Sequence, residues 1–122
     1  MKQYNLIQEK SFDFAVRIVN VYKFLSIEKK EFVLSKQVLK SGTSIGANVE
    51  EAIGAQSKAE FLAKLSISYK EARETNYWIR LLNKTSYLNE RESISLLSEI
   101  ETLKRIIAKI RITTLSKLKI KD

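Results

Sequence analysis

The sequence contains no cysteine, no histidine and no proline, and only three glycines. Without cysteine a disulfide framework is impossible, and nothing points to secretion. Without histidine, di-iron sites built from Glu-x-x-His pairs and nucleophilic catalysis that depends on histidine are excluded. Proline and glycine are the residues that most often interrupt helices, so their scarcity favours long helices over a fold with many turns.

Long uncharged apolar runs are also missing from the chain. No stretch approaches the roughly 18 residues that indicate a membrane-spanning helix, and no apolar run of signal-peptide length follows the first residues, Met1-Lys2-Gln3-Tyr4-Asn5. With 122 residues, 44% of them hydrophobic, one domain can bury a core without disulfides or metals. We therefore expect a soluble cytoplasmic protein, a single domain over residues 1–122, with no membrane association and no cofactor.

Four segments carry apolar residues at alternating three- and four-residue steps, the period of an amphipathic helix. They predict helices over about Leu6 to Ser26, Glu31 to Ala55, Ser57 to Asn83 and Asn89 to Leu115. Short joints force successive helices to lie antiparallel, so the expected fold is all-α, an up-down-up-down antiparallel four-helix bundle. The apolar stripes predicted to form the core are Phe14, Ala15, Ile18, Val21, Tyr22 and Leu25; Leu34, Val38, Ile45, Val49 and Ala52; Phe61, Leu65, Ala72, Ile79 and Leu82; and Leu96, Ile100, Leu103, Ile107 and Ile110.

Capping patterns support these helix boundaries. Ser57-Lys58-Ala59-Glu60 is a capping box, Asn89-Glu90-Arg91-Glu92 has a similar pattern, and Asn5 with Gln8 makes a weaker pair. Gly54 is a small residue that a left-handed helix end would favour. The lysine-rich end of the last helix is expected to fray.

The second helix contains an unusual run, Ser41-Gly42-Thr43-Ser44-Ile45-Gly46-Ala47-Asn48. A loop could interrupt the helix here, because glycine is about 1 kcal/mol less favourable than alanine in a helix. Alternatively Gly42 and Gly46, four residues apart, share one face and leave a groove where another helix packs closely. The apolar stripe continues in phase through the run, which favours the unbroken helix. A phosphate-binding loop is disfavoured, because no lysine follows Gly46 and no strand precedes the run.

A line of polar residues runs beside the apolar stripe of the second helix. We interpret it as a hydrogen-bonded seam that fixes the register of neighbouring helices or as a wet face, because buried polar groups usually satisfy one another; a ligand groove is the alternative. Its members are Gln37, Ser41, Ser44, Asn48 and Glu51, and Lys64, Ser68, Glu71, Thr75 and Tyr77 are candidate partners on the third helix. A carboxylate-only metal site from Glu50, Glu51, Glu71 and Glu74 is conceivable, but salt bridges are the expected arrangement and no metal is predicted.

Positive charge is concentrated at the C-terminal end. The net charge is +8, and residues 104–122 hold seven basic residues and one acidic residue. Such an excess favours anionic partners, nucleic acid first, although a solvated helix end is the plain alternative. The candidate nucleic-acid-binding residues are Lys104, Arg105, Lys109, Arg111, Lys117, Lys119 and Lys121.

Apolar residues on two helices extend beyond the arc that one bundle needs. Phe12, Val16 and Val19 widen the apolar surface of the first helix, and Tyr77 and Trp78 widen that of the third. Wide exposed apolar surface usually marks an interface, so we expect a homo-oligomer. Single-strand binders stack bases on exposed aromatic side chains, but on a helix with apolar neighbours Trp78 is expected in the core or in a subunit interface.

Several motifs resemble those of the four-helix-bundle proteins encoded in intervening sequences of bacterial 23S rRNA genes. The resemblance covers nearly the whole chain and implies an unbroken second helix. It rests on Gln37-Val38-Leu39-Lys40-Ser41, Ser44-Ile45-Gly46-Ala47-Asn48-Val49-Glu50-Glu51-Ala52, Ser57 with Glu60-Phe61, Lys70-Glu71-Ala72-Arg73-Glu74-Thr75 and Tyr77-Trp78.

That family is similar to the accessory proteins of diversity-generating retroelements, which form pentameric rings with basic surfaces that bind nucleic acid and a reverse transcriptase. The resemblance therefore implies a homopentamer here, and no catalytic residues carry over. We expect a non-catalytic, homo-oligomeric protein that binds RNA or another nucleic acid through a basic surface. The alternative is a scaffold that engages a protein partner without nucleic acid, and an enzyme is the least favoured class.

Overall fold

The computed structural model of the chain describes the backbone of residues 2–121 and the side chains of residues 4–117. This part of the chain is built from helices alone, with no strand. The four α-helices are α1 (Lys2–Lys23), α2 (Leu34–Ile53), α3 (Lys58–Lys84) and α4 (Glu90–Lys121), and a π-helical turn, Phe24–Glu28, extends α1. None of these helices combines the length and hydropathy that a membrane crossing requires.

Helix α1 runs antiparallel to α2, and α2 runs antiparallel to α3. Gln8 of α1 contacts Glu50 of α2, while Ile18, further along α1, lies against Gly42, which is earlier in α2. The same opposed order holds between α2 and α3, in the pairs Glu51–Lys64 and Ser41–Thr75. Each helix packs along two neighbours, α1 on α2 and α4, and α3 on α2 and α4, so α1 and α3 occupy diagonal corners. The predicted four-helix bundle is confirmed.

The core consists of the predicted apolar stripes. One contiguous cluster of buried residues runs the length of the bundle, and each helix contributes to it at steps of three and four residues. Four predicted members lie at the edge of the core: Leu34 and Phe61 are partly buried against it, and Ala15 and Tyr22 are half-buried on the flank of α1. Burial of a large aliphatic side chain contributes about 1.5–3 kcal/mol, so these stripes provide most of the driving force for folding.

The glycine-rich run of α2 is continuous helix, as predicted. Gly42 and Gly46 face α1, where a Cβ on Gly42 would lie 2.7 Å from Cγ1 of Ile18, and one on Gly46 would lie 3.2 Å from the carbonyl oxygen of Ser11. The two glycines therefore permit a closer approach of α1 than alanine would allow. The close packing of α1 more than offsets their low helix propensity.

The first half of the chain departs from the predicted boundaries. Helix α1 begins at Lys2, four residues before the predicted start. Gln8 therefore lies inside the helix and donates to Glu50, so the predicted Asn5–Gln8 capping pair is wrong. Helix α2 begins at Leu34, because the carboxylate of Glu31 accepts hydrogen bonds from three backbone amides at its start, at 2.7–3.2 Å. The free amides at the start of α2 are thus satisfied by a side chain that precedes the helix.

The caps of the second half are confirmed. Ser57 Oγ accepts a hydrogen bond from the amide of Glu60 at 3.1 Å, and Asn89 Oδ1 accepts one from the amide of Glu92 at 2.8 Å. The predicted end of the last helix is wrong, because α4 continues to Lys121. The sequence beyond residue 115 contains no proline or glycine that would interrupt it.

One arginine joins α1 to α4. Arg17 on α1 forms salt bridges with Glu99 at 2.6 Å and Glu92 at 3.2 Å, and it donates to Ser95 Oγ at 2.9 Å. Partial burial lowers the pKa of Arg17, but the two carboxylates outweigh burial and raise it. These bonds use much of the planar donor set of the guanidinium and fix the rotation of α4 relative to α1.

We expect Gly42→Ala to lower the free energy of unfolding by about 1–2 kcal/mol, because overpacking against buried Ile18 costs about 1–3 kcal/mol and better helix propensity returns up to about 1. Urea denaturation followed by circular dichroism measures the difference. Gly54→Ala is the matched control: its Cβ would have no neighbour closer than 3.8 Å, and its φ of −86° is not the left-handed end that the sequence suggested. Equal stability of Gly42→Ala and Gly54→Ala would contradict the close-approach explanation.

We expect Glu31→Gln to destabilise the protein by about 1 kcal/mol at neutral pH, as loss of a helix cap does. Burial of this carboxylate raises its pKa, but the hydrogen bonds from three backbone amides together hold the pKa below the ordinary glutamate range. Its stabilising effect is therefore present at neutral pH and fades as the pH falls through that range and below it. The difference between variant and wild type should shrink over the same interval, whereas exposed Glu28→Gln, in the preceding turn, should behave like wild type throughout.

Candidate nucleic-acid interface

The basic residues predicted near the C-terminus do not form one surface. Successive positions on a helix differ by about 100°, so Lys104, Arg105, Lys109, Arg111 and Lys117 are distributed around α4. Arg105, Lys109 and Lys117 are exposed, whereas Lys104 and Arg111 are half-buried. The side chains of Lys119 and Lys121 lie outside the described residues.

Two of these cations already interact with the bundle. Lys104 Nζ lies 3.2 Å from Glu101 Oε2 and 5.7 Å from the centre of the Tyr69 ring. Arg111 has its Nε buried without a hydrogen-bond partner among the described residues. Lys104 is engaged by Glu101 and Tyr69 and Arg111 is partly buried, so both are less available to a ligand than their positions in the sequence indicate.

A second basic surface, absent from the sequence prediction, lies on α3. Its residues follow three-four-three-four spacing, which places them on one face of the helix, and all of them are exposed. None of its four cations forms a salt bridge within the described part of the chain. We define this α3 basic face as Lys70, Arg73, Tyr77, Arg80 and Lys84.

The tyrosine at the middle of the α3 basic face is held by its neighbours. Tyr77 is 50% exposed, and the Trp78 ring meets it edge-on at 5.0 Å with an interplanar angle of 74°. The guanidinium of Arg80 lies 5.9 Å from the centre of the Tyr77 ring. A shallow groove of about 270 Å³ adjoins the ring, lined by Tyr77, Arg80, Leu81 and Lys84. An exposed aromatic between cations is the combination found in nucleic-acid-binding surfaces.

The polar line predicted on α2 divides into buried and exposed parts. Ser41 is fully buried and accepts a hydrogen bond from Thr75 Oγ1 of α3 at 3.0 Å. Glu51 forms a salt bridge with Lys64 at 3.0 Å. The other three members lie elsewhere: Ser44 and Asn48 are half-buried and donate to backbone carbonyls of α2, and Gln37 is exposed.

Three of the four glutamates considered for a metal site are directed to separate partners. Glu50 accepts from Gln8, Glu51 pairs with Lys64, and Glu74 accepts from Trp78 Nε1 at 3.0 Å. Burial, and then repulsion from Glu74, raise the pKa of Glu71. Among the described residues, no three His, Cys, Asp or Glu side chains are grouped closely enough to hold a metal ion.

The middle of the outward side of α1 is apolar. Phe12, Val16 and Val19 are 69%, 48% and 36% exposed and lie opposite the buried stripe of the same helix. We define them as the α1 apolar face. A groove of about 580 Å³ between α1 and α2 begins at Phe12 and reaches Gly46 and Ala47. Because α1 and α3 occupy diagonal corners, the α1 apolar face and the α3 basic face point to opposite sides of the bundle.

Inspection of the sequence for clustered charge missed the α3 basic face. Residues 104–122 attract attention because their charges are close together in the chain, whereas the cations of α3 are separated by Glu71, Glu74 and apolar positions. Helical spacing carried the signal, because positions 70, 73, 77, 80 and 84 share one face of a helix and hold four cations, one tyrosine and no acidic residue. Counting charge on a helical wheel instead of along the chain would have found it.

The fold and its surfaces define the class: an all-α four-helix bundle with a basic face on one side and an apolar face on the other. The family model for the 23S rRNA-intervening sequence protein matches residues 3–109, so the chain belongs to that family. Among curated proteins, none matches the sequence.

The chain is also similar to a protein of known structure. That crystal structure, at 1.70 Å resolution, is of a protein with unknown function from the S23 ribosomal protein family, from Bacteroides thetaiotaomicron VPI-5482. The two are 50% identical, with a TM-score of 0.88 over 89% of this chain and 97% of that chain. Neither comparison names a catalytic activity.

Proposed function

We propose that this protein is a non-catalytic, homo-oligomeric bundle that binds RNA or another nucleic acid through the α3 basic face. The observation that carries the proposal is the set of four exposed cations on one face of α3, none of them in a salt bridge within the described residues. An exposed cation that forms no salt bridge can contact a phosphate without first losing a carboxylate partner.

The exposed cations of α4 provide a second positive surface. Arg105, Lys109 and Lys117 extend the positive field of the bundle beyond α3. Side chains that contact only phosphates position a ligand without reading its sequence. The proposed binding is therefore strongly salt-dependent and has little sequence preference.

We propose that self-association uses the α1 apolar face. An exposed phenylalanine and two valines in a row, beside an open groove, form the kind of apolar surface that interfaces cover. Association there leaves the α3 basic face free, because the two faces lie on opposite sides of the bundle. The family resemblance makes a pentamer the expected assembly.

A protein partner is the alternative function, and one observation favours it. Four large apolar side chains are exposed around the connection between α1 and α2: Phe24, Ile27, Phe32 and Val33. They occupy one end of the bundle, apart from both the α1 apolar face and the α3 basic face. In this alternative the end of the bundle docks a protein, and the basic surfaces serve only to keep the bundle soluble.

Replacement of Lys70, Arg73, Arg80 and Lys84 by glutamine should weaken binding of a labelled oligouridylate. If each cation contacts one phosphate, the slope of log affinity against log salt should fall in magnitude by about 3. Fluorescence anisotropy at a series of salt concentrations measures both quantities. The matched control replaces four exposed cations of α4 by glutamine: Arg91, Arg105, Lys109 and Lys117.

The two variants carry the same change of charge, so a difference between them reports position and not net charge. A larger loss of affinity in the α4 variant would show that the cations of α4, and not the α3 basic face, form the main binding site. Wild-type protein that binds no nucleic acid even at low salt would overturn the proposal and favour the protein partner.

Replacement of Phe12 and Val16 by glutamine should dissociate the oligomer, because it removes most of the apolar area of the α1 apolar face. Size-exclusion chromatography with light scattering measures the mass of wild type and variant. Ile94→Gln on α4, where the side chain is 58% exposed, should leave the mass unchanged. A wild-type protein that is monomeric at every concentration would refute the proposed interface.

A further inference from the structure

We propose that the α3 basic face is a binding site for single-stranded nucleic acid, with one unpaired base stacked on Tyr77. This inference rests on the proposed function and names the class of ligand for the same site. It concerns Tyr77, the one residue of the face that has no charge with which to bind phosphate. Tyr77 carries no charge, yet it lies between two cations on either side along the helix.

The ring of Tyr77 has contacts on two sides within α3. Trp78 meets it edge-on, and the Trp78 Nε1 donates to Glu74 at 3.0 Å, which fixes the indole. Arg80 lies near the ring and is itself held by a 2.7 Å hydrogen bond from Nε to Asn76 Oδ1. A side chain that is already fixed loses little conformational entropy when a base stacks on it.

The spacing along the helix suits a strand that runs beside it. Lys70 and Lys84 are 14 residues apart, about 21 Å at 1.5 Å per residue, with Tyr77 midway. A backbone that follows this line meets cations before and after the tyrosine. The groove of about 270 Å³ beside the ring, which ends at Lys84, provides space for a base whose phosphate contacts that lysine.

A duplex cannot use the same arrangement. In A-form RNA the major groove is too narrow for side chains to read, and paired bases stacked on one another are not free to stack on a tyrosine. A duplex would contact only the cations of the face, without a base stacked on Tyr77.

The test compares a labelled oligouridylate, an oligothymidylate and a blunt RNA duplex of equal length, by anisotropy at low salt. Tyr77→Leu keeps an apolar side chain but has no aromatic face, so it should weaken both single strands about 5- to 100-fold and leave duplex affinity unchanged. Tyr77→Phe keeps the ring and should bind as wild type does. Circular dichroism verifies that each variant retains its helical content.

Trp78 provides an independent readout, because it is the only tryptophan of the chain and its ring contacts Tyr77. Its fluorescence should change when wild type binds a single strand and should change much less with the duplex. Single-strand affinity that Tyr77→Leu does not alter, or a loss equal for single strand and duplex, would overturn the inference and leave the proposed function intact. If the wild-type protein bound none of the three ligands, the proposed function itself would be contradicted.

Discussion

The close approach of α1 to α2 at Gly42 and Gly46 is the contact on which the rest of the bundle depends. Because a side chain at either glycine would press on Ile18 or on the backbone of Ser11, these two positions set the distance between the helices. The glycines also set the rotation of α2 about its own axis. With Gly42 facing α1, the adjacent Ser41 faces α3 and accepts the hydrogen bond from Thr75. One short run of small residues thus determines the packing of α2 against both neighbours.

The order of the helices around the core separates two chemically different surfaces. Since α1 and α3 occupy diagonal corners, the side of each helix that faces away from the core also faces away from the other helix. A partner that covers the apolar residues of α1 therefore leaves the cations of α3 uncovered. An assembly formed through α1 would present several copies of the α3 basic face outward, and linked binding sites increase overall affinity without any new contact.

Net charge alone does not locate a binding surface in this protein. Lys104 is engaged with Glu101 and with the ring of Tyr69, so its charge is partly compensated within the bundle. Arg17 is likewise committed to two carboxylates. The cations of α3 differ because they share one exposed face and none of them forms a salt bridge within the described residues, although Glu74 lies four residues after Lys70. The proposed interface is therefore placed on α3, although residues 104–122 contain more positive charge.

The sequence by itself determined the fold, because a buried stripe must repeat with the period of the helix; Ile45 and Val49 remain in phase through the glycines for this reason. It also determined the local caps at Ser57 and Asn89, which involve residues only three positions apart. The tertiary structure decided whatever depends on distant neighbours: the exposure of Phe12, the engagement of Lys104 and the lack of salt bridges at the α3 cations within the described residues. The reason is that periodicity defines which residues share a face, whereas packing decides which face another helix covers.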